Sequence, residues 1–147
     1  MTPILYKSDE IDFTNNGLGQ LNELYSVDVQ EQRNGLLTLT GSYPVTGQHY
    51  ADISEGRIIL AKPSPLDDNH AFRIVNTQLD IAGHSLQIEA DSITYDLTHN
   101  LVRSVTMKGN GSTAMSQLHS AIVNPSIFTL YSDIMTSSTS TLNYVNP

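Results

Sequence analysis

Five histidines, His49, His70, His84, His99 and His119, are the residues of this chain most suited to metal or proton-transfer chemistry. Zinc demands three or four convergent ligands, and these five fall into no HxH or HExxH spacing. They read as surface or turn histidines. Asp67-Asp68-Asn69-His70 is oxygen-rich like a cation loop, but it lacks the alternating ligands and terminal glutamate of a calcium hand, so it reads as a solvated loop. Glu89, Asp91 and Asp96 are the carboxylates near enough in sequence to suggest an acid–base pair of the glycosidase kind. On a continuous strand Asp91 and Asp96 would point to opposite faces, which argues against a shared site. Serines are many, yet no GxSxG nucleophile elbow occurs. Gly17-Leu18-Gly19 is too short for a dinucleotide fingerprint and reads as a turn. Interleaved tyrosines can stack on sugars, but Tyr25, Tyr43 and Tyr95 fall on inward positions of the expected strands and read as core. The sequence therefore predicts no catalytic, cofactor-binding or metal-binding residue.

Bulk composition narrows the classes further. The 147 residues suit one domain, or one domain and the start of another. Charged residues are 15%, below the usual quarter of a globular chain. Ser, Thr, Asn and Gln fill the difference, as in β proteins with one solvated face. A net charge of −8, with Lys and Arg scattered singly, argues against specific nucleic-acid binding. The absence of cysteine excludes disulfides, thiolate metal sites and cysteine nucleophiles. Asp9, Glu10 and Asp12 are incompatible with the apolar core of a signal peptide. No apolar run approaches the ~20 residues of a membrane helix, so no membrane insertion is expected.

The elements that must position these residues are mostly strands. Tyr25, Val27 and Val29 alternate with polar residues, as do Leu37, Leu39 and Tyr43. A three-residue Arg33-Asn34-Gly35 loop pairs Val29 with Leu39 and Tyr25 with Tyr43 on one face; a two-residue loop would split the apolar sets. Gly35 is then expected at positive φ in a bulged turn. Tyr50 to Ile53 suggests a helical turn, Arg57 to Ala61 a short apolar strand, and Lys62 to Asn69 a loop. A Gly83-His84 turn predicts a long hairpin pairing Ile81 with Leu86, Leu79 with Ile88, Ile74 with Ile93 and Phe72 with Tyr95. Along it the apolar residues change from even positions at the base to odd positions at the tip, and back on the partner strand. The tip residues Leu79, Ile81, Leu86 and Ile88 are thus the candidate interface, packing on the face opposite the base. Leu101 to Met107 predicts a strand with Val105 and Met107 inward. Ser112 or Thr113 is expected to cap a helix carrying Met115, Leu118 and Ile122, which Asn124-Pro125 stops. Ile127 to Tyr131 reads as a strand. The Ser/Thr-rich end from Thr136 to Thr141 closes no fold, so the chain is expected to continue or to fray there. The fold class is mainly β, α+β with one short helix. Its antiparallel hairpins form a small barrel-like domain over residues 1–109, and residues 110–147 begin a second domain.

Several blocks, in order, resemble the N-terminal region of the tail-hub or tail-associated lysin proteins of bacteriophages, the prophage endopeptidase tail family. They run from Ile4-Leu5-Tyr6 to Asn16-Gly17-Leu18-Gly19, and from Glu31-Gln32-Arg33-Asn34-Gly35 to Tyr43-Pro44-Val45 with Gly56-Arg57-Ile58-Ile59. The third joins Phe72-Arg73-Ile74 to Ala90-Asp91-Ser92-Ile93-Thr94-Tyr95-Asp96-Leu97, and Pro125 to Asp133 follows with Phe128, Tyr131, Ser132 and Asp133. The third block departs where the family would carry a histidine, at Asp91 or Ser92. The resemblance implies a structural part of the tail tip or baseplate hub, located in the virion and assembled in the host cytoplasm. It implies a homotrimer stacked on the hexameric distal tail protein, with tape-measure and receptor-binding proteins as further neighbours. The alternatives are a carbohydrate-binding tail module, or part of a cell-wall-degrading tail endopeptidase whose catalytic domain lies outside this chain.

Overall fold

The computed structural model describes residues 2–33, 35–123 and 128–142. The chain divides into two compact units, Met1–Ile93 and Thr94–Pro147. Residues 94–109, expected from their sequence in the first domain, belong to the second unit.

The fold is mainly β. The first unit is one curled, half-barrel sheet of seven antiparallel strands. In chain order they are β1 (Ile4–Tyr6), β2 (Gly19–Gln20), β3 (Tyr25–Glu31), β4 (Leu37–Pro44), β5 (Ile58–Ala61), β6 (His70–Asp80) and β7 (Ser85–Ser92). Their order across the sheet is β2-β1-β5-β6-β7-β4-β3. The core lies on one face, where Leu5, Leu39, Tyr43, Ile59, Phe72, Ile74, Leu86, Ile88 and Ala90 pack together. Strand alternation delivers them there, since successive side chains point to opposite faces. The other face of the central strands is polar, with Ser42 opposite Gln87 and Thr40 opposite Glu89.

The opening stretch folds back on Tyr6. Its hydroxyl donates to the carbonyls of Phe13 and Asn15, and the two rings of Tyr6 and Phe13 meet edge to face at 5.2 Å. Asp12 accepts from the Thr14 amide at 2.9 Å, and Asn15 from the Gly17 amide at 2.7 Å. These side chains satisfy a loop backbone that no strand pairs.

The β3–β4 hairpin has the expected three-residue loop, because Gln32 and Leu36 pair through a 2.9 Å backbone hydrogen bond and Val29 faces Leu39. The test at Gly35 depends on Asn34, which lies outside the described residues. At the other end the expected pairing of Tyr25 with Tyr43 fails. Ser26 takes φ 52° and a bulge shifts the register, so Tyr25 faces Ser42. Tyr25 is therefore turned to the polar face and exposed, whereas Tyr43 is fully buried.

The long hairpin differs more. Leu79 pairs with Leu86 and Asp80 with Ser85, leaving a four-residue connection, Ile81 to His84. Asp80 Oδ1 accepts the Gly83 amide at 2.9 Å, and His84 adopts φ 49°. A bulge at Val75 then changes the register, and Ile74 faces Ala90 while Phe72 faces Ser92. The pairings of Ile74 with Ile93 and Phe72 with Tyr95 do not form. Instead β7 ends at Ser92, and Ile93–His99 coil into a 3₁₀ segment. The one-residue insertion reverses the parity of β6 alone. Leu79 therefore lies on the same face as Leu86, Ile88 and the base of the hairpin, and the apolar face does not change sides.

The second unit holds β8 (Val105–Gly109), the helix α1 (Gly111–Ala121) and β9 (Ser138–Leu142). Asn110, rather than Ser112 or Thr113, caps α1, its Oδ1 accepting from the Thr113 amide at 3.0 Å. The helix ends at Ala121, where Ile122 turns extended and bridges Val102; Asn124-Pro125 lies outside the described residues. Residues 128–131 are not a strand. The Ser/Thr-rich end is one: β9 pairs antiparallel with β8 along its length. Val105 and Met107 are half-buried, as their alternation predicts.

Candidate functional site

The structure places the four predicted interface residues on the β6–β7 hairpin, but divides them. Leu86 is 8% exposed and Ile88 3%, both inside the core. Leu79 is 49% exposed and Ile81 78%. The interface candidate thus contracts to the hairpin tip, where Leu79 and Ile81 border a groove of about 490 Å³ with Gln78, Asp80 and Gln87. Two large aliphatic side chains rest there beside polar ones.

Two titratable clusters that spacing did not reveal are also brought together. His70 and Ser92 meet across the base of the hairpin, with Nε2 and Oγ 2.8 Å apart. A serine and an imidazole at this distance have the geometry of a nucleophile and its base. Burial pushes the His70 imidazole below its ordinary value, which favours the neutral, accepting form. Ser92, however, is only 2% exposed and sits on the core face opposite Phe72. A hydroxyl so enclosed is shielded from solvent. The pair instead satisfies two polar groups that strand pairing carries into the core, and His70 completes the packing edge-on against Phe72, ring centroids 5.0 Å apart.

The second cluster joins Glu23, Tyr43, His49 and Asp52. The Tyr43 hydroxyl donates to Glu23 Oε2 at 2.8 Å and accepts the His49 amide at 3.1 Å. His49 Nδ1 lies 3.1 Å from Asp52 Oδ2. The Tyr43 hydrogen bond holds the Glu23 carboxyl below its ordinary range, while burial raises the Tyr43 phenol. Gly19, at φ +145°, lets β2 pass so close that a Cβ there would collide with the ring of His49. The imidazole is thereby roofed by backbone, and the cluster ties β2 and β4 to the 3₁₀ turn Tyr50–Asp52.

The remaining candidates stay apart. Asp67, Asp68 and Asn69 are exposed, with His70 turned inward. Asp91 lies opposite Arg73, and its carboxyl is raised by burial and by the charge of Glu89. Asp96 belongs to the 3₁₀ segment beyond the strand. His84 and His99 are exposed, and His119 is in α1. Among the described residues no three His, Asp or Glu side chains are grouped to hold a metal ion. No described helix is long and apolar enough to cross a membrane.

No protein-family model, curated protein or solved structure matches the chain.

Proposed function

We propose that this chain is a structural component of a bacteriophage tail-tip hub, joining the distal tail protein to the tip. The order of the sequence blocks that resemble tail-hub proteins suggests the setting. The observation that carries the reading is the hairpin tip, which presents Leu79 and Ile81 to solvent at the end of an open, curled sheet. A ring needs contacts between non-identical patches on neighbouring copies, and this tip supplies one such patch. The polar outer face of the sheet, which includes Thr40, Gln78, Gln87 and Glu89, suits a solvated wall.

Sedimentation of the full chain over a wide concentration range tests the reading. Masses in multiples of three copies are expected, with the threefold species lost in Leu79→Ser/Ile81→Ser. Absence of any threefold species at high concentration, or its survival in the double variant, would overturn the assignment.

A further inference from the structure

The two-stranded sheet of the second unit has one edge partly covered and one edge open. The side-chain amide of Gln117 covers the outer edge of β8 at Lys108. Its Oε1 accepts the Lys108 amide at 2.7 Å, and its Nε2 donates to the Lys108 carbonyl at 3.3 Å. In an antiparallel ladder, both backbone groups of one residue point to the same side. Lys108 therefore turns away from β9, and its partner Thr139 turns its own N–H and C=O away from β8. Thr141, opposite Thr106 and two residues on, does the same. The 3.2 Å approach of the Thr106 and Thr141 hydroxyls fits such a non-hydrogen-bonded pair, in which side chains come closest. Among the described residues nothing meets the outward backbone groups of Thr139 and Thr141.

Edge strands are ordinarily guarded by charge, proline or a bulge. The edge strand β3 carries Asp28, Glu31 and the bulge at Ser26. Strand β9, Ser-Thr-Ser-Thr-Leu, carries none of these. Charge also singles out this unit. Asp96 and Asp133 balance Arg103 and Lys108, so the second unit is neutral and the whole net charge of −8 lies in the first. The second unit carries no net charge to oppose the approach of two copies through it. Tyr131, Ile134 and Met135, exposed in the segment leading into β9, add apolar surface in the same unit.

We infer that β9 is a self-pairing edge: it docks antiparallel on β9 of a second copy, about a twofold axis at Ser140. In that register Thr139 faces Thr141 of the partner copy. Both outward backbone pairs are satisfied, giving four intermolecular hydrogen bonds by symmetry. At the centre two serines meet in a non-hydrogen-bonded pair, where side chains come closest. The result is a four-stranded sheet with β8 of each copy on its outside.

This contact is separate from the one ascribed to the hairpin tip, so it is tested in the full chain carrying Leu79→Ser/Ile81→Ser. Sedimentation equilibrium should show a dimer. Adding Thr139→Pro removes one outward N–H per copy and leaves the β8–β9 ladder intact. The dimer should weaken about 30-fold, the loss of two backbone hydrogen bonds. Ser140→Pro, which breaks the ladder itself, should disturb the second unit even in the monomer. Amide exchange provides a readout without a proline: Thr139 and Thr141 should become protected as concentration rises. A strict monomer with rapid, concentration-independent exchange at both amides overturns the inference, as does a dimer of unchanged affinity in the Thr139→Pro chain.

Discussion

Ile88 and Leu79 occupy one face of one hairpin, yet their truncation should have very different consequences. Ile88 is 3% exposed and belongs to the core cluster with Leu39, Ile74 and Leu86. Ile88→Ala removes three buried carbons and leaves a cavity that the surrounding strands fill only partly. Such changes cost about 2–5 kcal/mol, and about 3 kcal/mol is expected here. Leu79 is already 49% exposed, so Leu79→Ala should cost about 1 kcal/mol or less. Urea unfolding followed by the near-ultraviolet dichroism of the buried Tyr6 and Tyr43 reports on the first unit. With a slope of about 2 kcal/mol per molar urea, Ile88→Ala should lower the midpoint by about 1.5 M and Leu79→Ala by under about 0.5 M. If the two variants lose equal stability, or Leu79→Ala loses more, the Val75 bulge does not set the hairpin's register as described. The continuous register read from the sequence would then be restored, with its tip on the opposite face.

Gly19→Ala forces a side chain into φ +145° and against the His49 ring. It should cost about 2 kcal/mol or more, and repeating it in His49→Ala should recover the steric part but not the backbone part, measured as a double-mutant cycle. His70 carries a pH slope. Burial holds its folded value below the 6.5 of the free imidazole, so the unfolded chain binds the proton first. Stability should therefore fall as pH drops below about 6.5, levelling off below the folded value. His70→Asn, which keeps a polar partner for Ser92, should flatten that slope in thermal unfolding from pH 7.5 to 5. Asn110→Ala removes the cap of α1 and should destabilise the second unit by about 1 kcal/mol, read as faster amide exchange along 111–121 with the first unit unchanged.

Local chemistry made much of the fold legible. Alternation located β3, β4, β6 and β7, and the three-residue loop followed because only that register puts Val29 and Leu39 on one face. The helical turn at Tyr50 and the strand Ile58–Ala61 were equally readable, as each is announced by its own residues and flanking breakers. Departures began where one residue was inserted. Ser26 and Val75 carry no mark of a bulge, being neither glycine nor proline. Each bulge moved a cross-strand partner by one position, enough to expose Tyr25 and to carry Leu79 back to the core face. The hairpin loop was missed for a related reason. Gly83-His84 suggests a two-residue turn, but Asp80, three residues before the glycine, captures its amide and lengthens the connection. That aspartate was the available signal. Strand β9 carries no apolar alternation, so nothing in Ser138–Leu142 announces a strand until β8 lies beside it.

The residues brought together follow the same division. That the chain is mainly β, lacks thiol chemistry and carries its excess charge as scattered carboxylates follows from residue types, which act wherever the chain goes. Which histidines are buried does not follow, because it depends on pairs far apart in sequence: His70 with Ser92, and His49 beneath Gly19. Nor does the reach of the interface patch. A strand's pattern states which residues share a face, and only the register of its neighbour states which face is covered. Pairing with β4 enclosed Leu86 and Ile88, while the inserted residue at Val75 put Leu79 on their face at a tip that stays half in water.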